Sequence, residues 1–211
     1  MSKFADAVKR DFSLIALLLI PVCVAINIVG FQLCQLLRLP IFLDSIGTIL
    51  AGAIAGPWIG AITGLLTNAI NGIFNPVYFP YALTSIAVGV AAGLLARKGM
   101  FTKIWKVIVS GIVITFVATI SSGFITAIVF GGATGGTGSI ITATLLAAGN
   151  NIFTSVFSVQ FFQEIADKLV SVFVVYIVIK GMPSRYLTKV KYGSHYIRAP
   201  KKRVRTSAPA A

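Results

Sequence analysis

Two long stretches of the chain are almost free of charge. Residues 39–96 hold a single charged side chain, Asp44, and residues 107–163 hold none. A bilayer-crossing helix needs about 20 mostly apolar residues, so each stretch has room for more than one crossing. The runs are continuous and lack the short alternating segments of a β-barrel. The pattern predicts an all-α membrane protein with six transmembrane helices, over about 13–37, 41–56, 58–74, 82–96, 107–130 and 164–181. Residues 131–163 are apolar but open on "GGATGGTGS", a flexible connector. The following "IITATLLAAGNNIFTSVFSVQFF" is read as an external lid or re-entrant segment between helices 5 and 6.

Composition agrees, since 57% of residues are apolar, 11% are charged and the mean hydropathy is +0.94. A soluble domain of 211 residues carries more charge on its surface. The net charge of +13 suggests nucleic acid until its distribution is read. Sixteen of the 18 basic residues fall in three clusters: Lys3 to Arg10, Arg97 to Lys106, and Lys180 to Arg205. Short loops rich in Lys and Arg stay cytoplasmic. This orientation puts residues 1–12 inside as an N-terminal segment, 13–182 in the membrane domain, and 183–211 inside as a basic tail. The tail is thus a topology anchor within reach of anionic lipid, and no nucleic-acid partner is expected. No cleavage site follows the first apolar run, which reads as an uncleaved span. Phe4, Val8 and Phe12 recur every four residues, as in a short interfacial helix. Cys23 and Cys34, eleven apart on one span, are packing residues and too distant for a disulfide.

With both ends inside, the sparse polar residues gather at the outer ends of the spans. Asp44 begins the second; Asn68, Asn71 and Asn75 follow i, i+3, i+7 at the end of the third; Glu164, Asp167, Lys168 and Ser171 share a face of the sixth. Polar groups at membrane depth usually face a cavity or a partner. "NPVYFPYAL" holds Tyr78, Phe79 and Tyr81 beside two prolines, a stiff loop suited to stacking on a flat ring. The external segment adds Asn150 and Asn151. The candidate substrate-binding residues are therefore Asp44, Asn68, Asn71, Asn75, Tyr78, Tyr81, Asn150, Asn151, Glu164 and Lys168. The same tyrosines also suit an interfacial belt, and Glu164 with Lys168 also suits an internal pair. Gly52, Gly56, Gly60 and Gly64 are spaced by four around Pro57, with Gly89 and Gly93 repeating the spacing. Such faces either let helices of one chain approach closely or dock a partner.

Other chemistries lack their residues. No G-x-x-x-x-G-K-[ST] is present for ATP hydrolysis. The one histidine, His195, lies in the basic tail, so no Ser-His-Asp triad forms in the membrane. No metal and no cofactor are expected. A binder without its own energy source remains as the leading reading.

"LPIFLDSIGTILAGAIAGPWIGAITGLLTNAI", the aromatic loop and "FQEIADKLV" resemble the substrate-binding S component of energy-coupling factor (ECF) type ABC transporters, over about residues 13–187. The resemblance implies six helices, a vitamin or micronutrient site near the outer face, and loops after spans 1, 3 and 5 forming its lid. It also implies partners, namely a membrane coupling protein and two ABC-type ATPases, with the subunit toppling in the bilayer to deliver its ligand. The A-x-x-x-A docking pattern of many members is not clean here, where Ala16, Ala25 and Gly30 are the small residues. Outer-side charge near −1 and the aromatic loop favour a neutral or cationic heteroaromatic, such as a pyridoxine-like or thiamine-precursor-like molecule. A ligand-sensing membrane module that signals through a partner is the alternative, and an intramembrane enzyme using Glu164 and Asp167 the remote third.

Overall fold

The computed structural model describes residues 12–132, 134–135 and 137–197, and among them it contains eight α-helices, two 3₁₀ turns and no strand. The helices are α1 (Leu14–Leu36), α2 (Ile46–Ala55), α3 (Pro57–Phe74), α4 (Ala82–Arg97), α5 (Ile104–Val129), α6 (Thr137–Ala147), α7 (Ile152–Gly181) and α8 (Ser184–Leu187). The 3₁₀ turns are Pro76–Tyr78 and Gly193–Tyr196. Two helices, α1 and α5, are long and apolar enough to cross a membrane. The expected N-terminal segment up to residue 11, including Phe4 and Val8, and the tail from residue 198 lie outside the described residues.

The bundle is organised around α2. All nine residues from Gly47 to Ala55 are buried, which suits a helix that is apolar on every face. It packs against α1, α3, α4 and α7. At ten residues it is about 15 Å long, half a bilayer core. The expected crossing over 41–56 is therefore only partly helical: residues 39–45 run in without helix, and Asp44 belongs to this lead-in. Non-helical backbone is tolerated at membrane depth where protein covers it. Here the Asp167 carboxylate covers it, one oxygen accepting from the amides of Phe42 (3.0 Å) and Leu43 (2.6 Å).

Gly56, at φ 116°, makes the corner between α2 and α3 in a conformation that L side chains rarely adopt, and Pro57 starts α3. The spaced glycines serve crossings inside the chain. A Cβ on Gly52 or on Gly60 would come within 2.8 Å of the Gly89 carbonyl, and one on Gly93 would strike Pro57. Asn27 of α1 is fully buried and ties three elements together. It donates to Thr48 (2.9 Å) and Thr67 (3.0 Å) and accepts from the Gly47 amide (2.6 Å). Cys23 and Cys34 are buried free thiols, as packing residues should be.

Two further elements differ from expectation. The last long helix begins at Ile152, about three turns before the predicted start at 164, so residues 152–163 belong to it. Asn151 caps that helix by accepting from Phe153 (2.9 Å), and nothing after it breaks the α-helical ladder. Only α6 remains as a separate element between α5 and α7. The second difference is that residues 184–197 fold back on the bundle. Tyr192 donates its amide to the Ile54 carbonyl (3.1 Å), and the Tyr196 hydroxyl donates to the Ala53 carbonyl (3.0 Å). These are carbonyls that the end of α2 leaves without helical partners. Arg97 Nε donates to the Tyr192 hydroxyl (3.0 Å), placing this strap beside the α4–α5 loop.

Candidate functional site

At the opposite end of α2 from the strap lies a cavity of about 120 Å³, ample against the ~10–15 Å³ that one water needs. Its walls come from the 39–45 lead-in, the 3₁₀ turn, α1, α3, α4, α5, α6 and α7. Six of the ten predicted residues meet there: Asp44, Asn68, Tyr78, Tyr81, Glu164 and Lys168.

The other four do not line it. Asn71 is buried, but three residues on from Asn68 a helix has turned the side chain about 60° to one side. Asn75 ends α3 and caps the 3₁₀ turn, accepting from Val77 (3.1 Å). Asn150 is exposed and donates to the Leu145 carbonyl (3.0 Å). Asn151 is exposed as well, and its side-chain oxygen is used by the α7 cap. Asn75, Asn150 and Asn151 close local backbone turns, which is what asparagine does best beside a helix end.

One wall is charged. Lys168 Nζ lies 2.6 Å from Asp167, 3.0 Å from Glu164 and 4.0 Å from Asp44. Three carboxylates thus surround one ammonium. Asp167 is fully buried and spent, with one oxygen on the lead-in backbone and the other accepting from Lys168. Glu164 is 6% exposed, and its Oε2 lies 3.0 Å from the Lys168 ammonium. Ser45 Oγ and Thr84 Oγ1, also on the cavity wall and nearly inaccessible, have no hydrogen-bond partner. Buried polar atoms are rarely left unpaired, so these two hydroxyls are free to pair with a ligand.

The facing wall is a hydrogen-bond chain. Gln160 Nε2 donates to Thr126 (2.6 Å), which also pairs with the Tyr81 hydroxyl (2.6 Å), and Ser122 donates to the Gln160 carbonyl oxygen. Tyr81 stacks on Phe130 with ring centroids 5.8 Å apart, and Tyr78 meets Phe31 edge-on at 5.1 Å. Burial, and secondarily the Asp44 carboxylate, raise the Tyr78 phenol above its ordinary value, so it remains a donor. Asn68 donates to Ser85 and contributes its amide to the floor. Above, Gly138 of α6 approaches Gln163 so closely that a Cβ would collide with it.

Gln160, Gln163, Ser122, Thr126 and Asp167 were not among the predicted site residues. Their signal was present. Gln160, Gln163 and Glu164 extend the polar face of Asp167, Lys168 and Ser171 by two turns, and Ser122 and Thr126 are one turn apart on α5. Placing 131–163 outside the helix hid the first set, and an uncharged apolar run hid the second.

No curated protein and no solved structure matches the chain. Residues 16–179 match the family described as ECF transporter, substrate-specific component, and that span covers every element lining the cavity. The chain therefore belongs to the substrate-specific components of ECF transporters, membrane subunits that bind a small-molecule substrate and work with an energy-coupling module.

Proposed function

We propose that this chain captures a small vitamin or micronutrient at the outer membrane face and delivers it through an ATPase-driven complex with a coupling protein and two ABC-type ATPases. In this reading α1, α2 with its lead-in, α3, α4, α5 and α7 make six crossings, with both termini cytoplasmic. Helix α6 is the lid, closing over the ligand by its Gly138–Thr142 turn, which lines the cavity. The observation that supports this best is the pair of buried, unpartnered hydroxyls of Ser45 and Thr84 on the same cavity as Glu164. A ligand with donors at its rim pairs both. The aromatic wall and the acid-rich wall together suit a flat heteroaromatic with polar substituents, such as a B-vitamin or its precursor.

The test is mass spectrometry of the small molecule that co-purifies, followed by uptake in cells supplying the coupling protein and both ATPases. Accumulation of that molecule should require ATP hydrolysis. Asn68→Ala and Glu164→Ala should each weaken its binding by about tenfold or more. Uptake that persists without the ATPases, or affinity unmoved by both substitutions, refutes the reading.

A further inference from the structure

Resting on the capture reading, we infer that the ligand carries a positive charge, seated between Asp44 and Glu164. The protein's own charges are unbalanced at this point. Asp44, Glu164 and Asp167 face one cation, Lys168, and Arg38 is exposed and not part of the cavity wall. Lys168 leans toward Asp167, which also fastens the lead-in, so it is held away from Asp44 at 4.0 Å. Glu164 therefore shares its ammonium with Asp167, and Asp44 meets that ammonium only at 4.0 Å. In a poorly polarisable site an unneutralised carboxylate is costly, and a cation brought by the ligand removes that cost.

Ser45 and Thr84 give independent grounds for ligand atoms here. Both line the cavity, both are more than nine-tenths buried, and neither hydroxyl oxygen has a partner. Phe31 and Tyr78 supply aromatic surface on the same cavity, which favours a cation further. An anion has no counterpart, because the ammonium lining the cavity is already between three carboxylates. The ligand class is a small cationic or amine-bearing heteroaromatic: a ring with a quaternised or protonated nitrogen, or with an exocyclic amine.

Three ring probes of similar size and different charge test this: an N-methylated hydroxymethylpyridine, its neutral parent, and the matching pyridine carboxylate. Calorimetry on the full chain at mildly alkaline pH should rank the cation about tenfold tighter than the neutral ring, with the carboxylate weakest. Glu164→Gln, and separately Asp44→Asn, should bring the ratio of cation to neutral affinity close to one. Asp44 is a quarter exposed, so its variant keeps the test alive should the Glu164 variant fail to fold. The co-purified molecule is judged in the same way, with a cation or amine supporting the inference and an anion overturning it. Equal affinities for cation and neutral ring, a preference for the carboxylate, or a ratio untouched by both variants also overturn it, and leave substrate capture standing. If none of the three probes binds and nothing co-purifies, both readings fail.

Discussion

At the residue scale, Asn27 shows how a polar group in an apolar helix becomes structural. Its amide uses both donor hydrogens and its oxygen across three helices and leaves nothing for a ligand. Asn27→Ala should lower stability by about 1–3 kcal/mol, because the Gly47 amide is left buried without its acceptor. A thermal melt in detergent measures this, and an unchanged midpoint removes Asn27 from the framework. In the sequence Asn68 stands apart from Asn27 only by its spacing with Asn71 and Asn75, neither of which lines the cavity. The physical difference is that Thr48 and Thr67 surround Asn27 while a cavity opens beside Asn68. The acid cluster was readable because charges are so rare in these spans that any two of them draw notice. The hydroxyls of Ser122 and Thr126 were not, since Ser and Thr also satisfy themselves on their own helix carbonyls, as Thr115 and Ser121 do here.

At the scale of elements, helix boundaries were legible where a charge, Gly or Pro interrupts the apolar pattern, as at Pro57 and Arg97. They were not legible at Ile152, where the cap is a single Asn side chain in an apolar stretch. The glycine spacing announced close crossings without revealing whether they are internal. Gly89→Ala should destabilise the bundle by about 1–3 kcal/mol, because the new methyl meets the Gly60 carbonyl. Gly181→Ala should be neutral, since nothing lies within 4 Å of its would-be Cβ. Paired melts of the two variants decide it, and equal effects would contradict the packing. The lead-in yields a separate expectation. Arg38 and Leu43 both have positive φ, at 51° and 48°, an unfavourable conformation that the carboxylate of Asp167 helps to hold at Leu43. Asp167→Ala should therefore speed maleimide labelling of a cysteine placed at the exposed Leu39, and an unchanged rate would show that other contacts hold the segment.

At the scale of the whole molecule, the two ends of α2 differ in charge. Its start abuts Asp44, Glu164 and Asp167, and its end lies under a strap bearing Arg185, Lys189 and Lys191, with Arg97 joining the strap to the α4–α5 loop. The strap explains why the tail is more than an anchor. Its Leu187 and Val190 are buried, and it covers carbonyls that α2 is too short to carry to a membrane surface. An end rich in Lys and Arg stays on the cytoplasmic side, so the acid-lined cavity should open to the exterior. The expectation follows for single cysteines read with an impermeant maleimide in intact cells. A cysteine at Ile141, exposed on α6, should label at once, whereas cysteines at Lys103 or Lys189 should label only after lysis. The native thiols do not confuse the readout, because Cys23 and Cys34 are both buried. Labelling of Lys103→Cys from outside, with Ile141→Cys silent, would turn the cavity toward the cytosol. A subunit so oriented would receive its ligand from within, and import would be the wrong direction for this fold to serve.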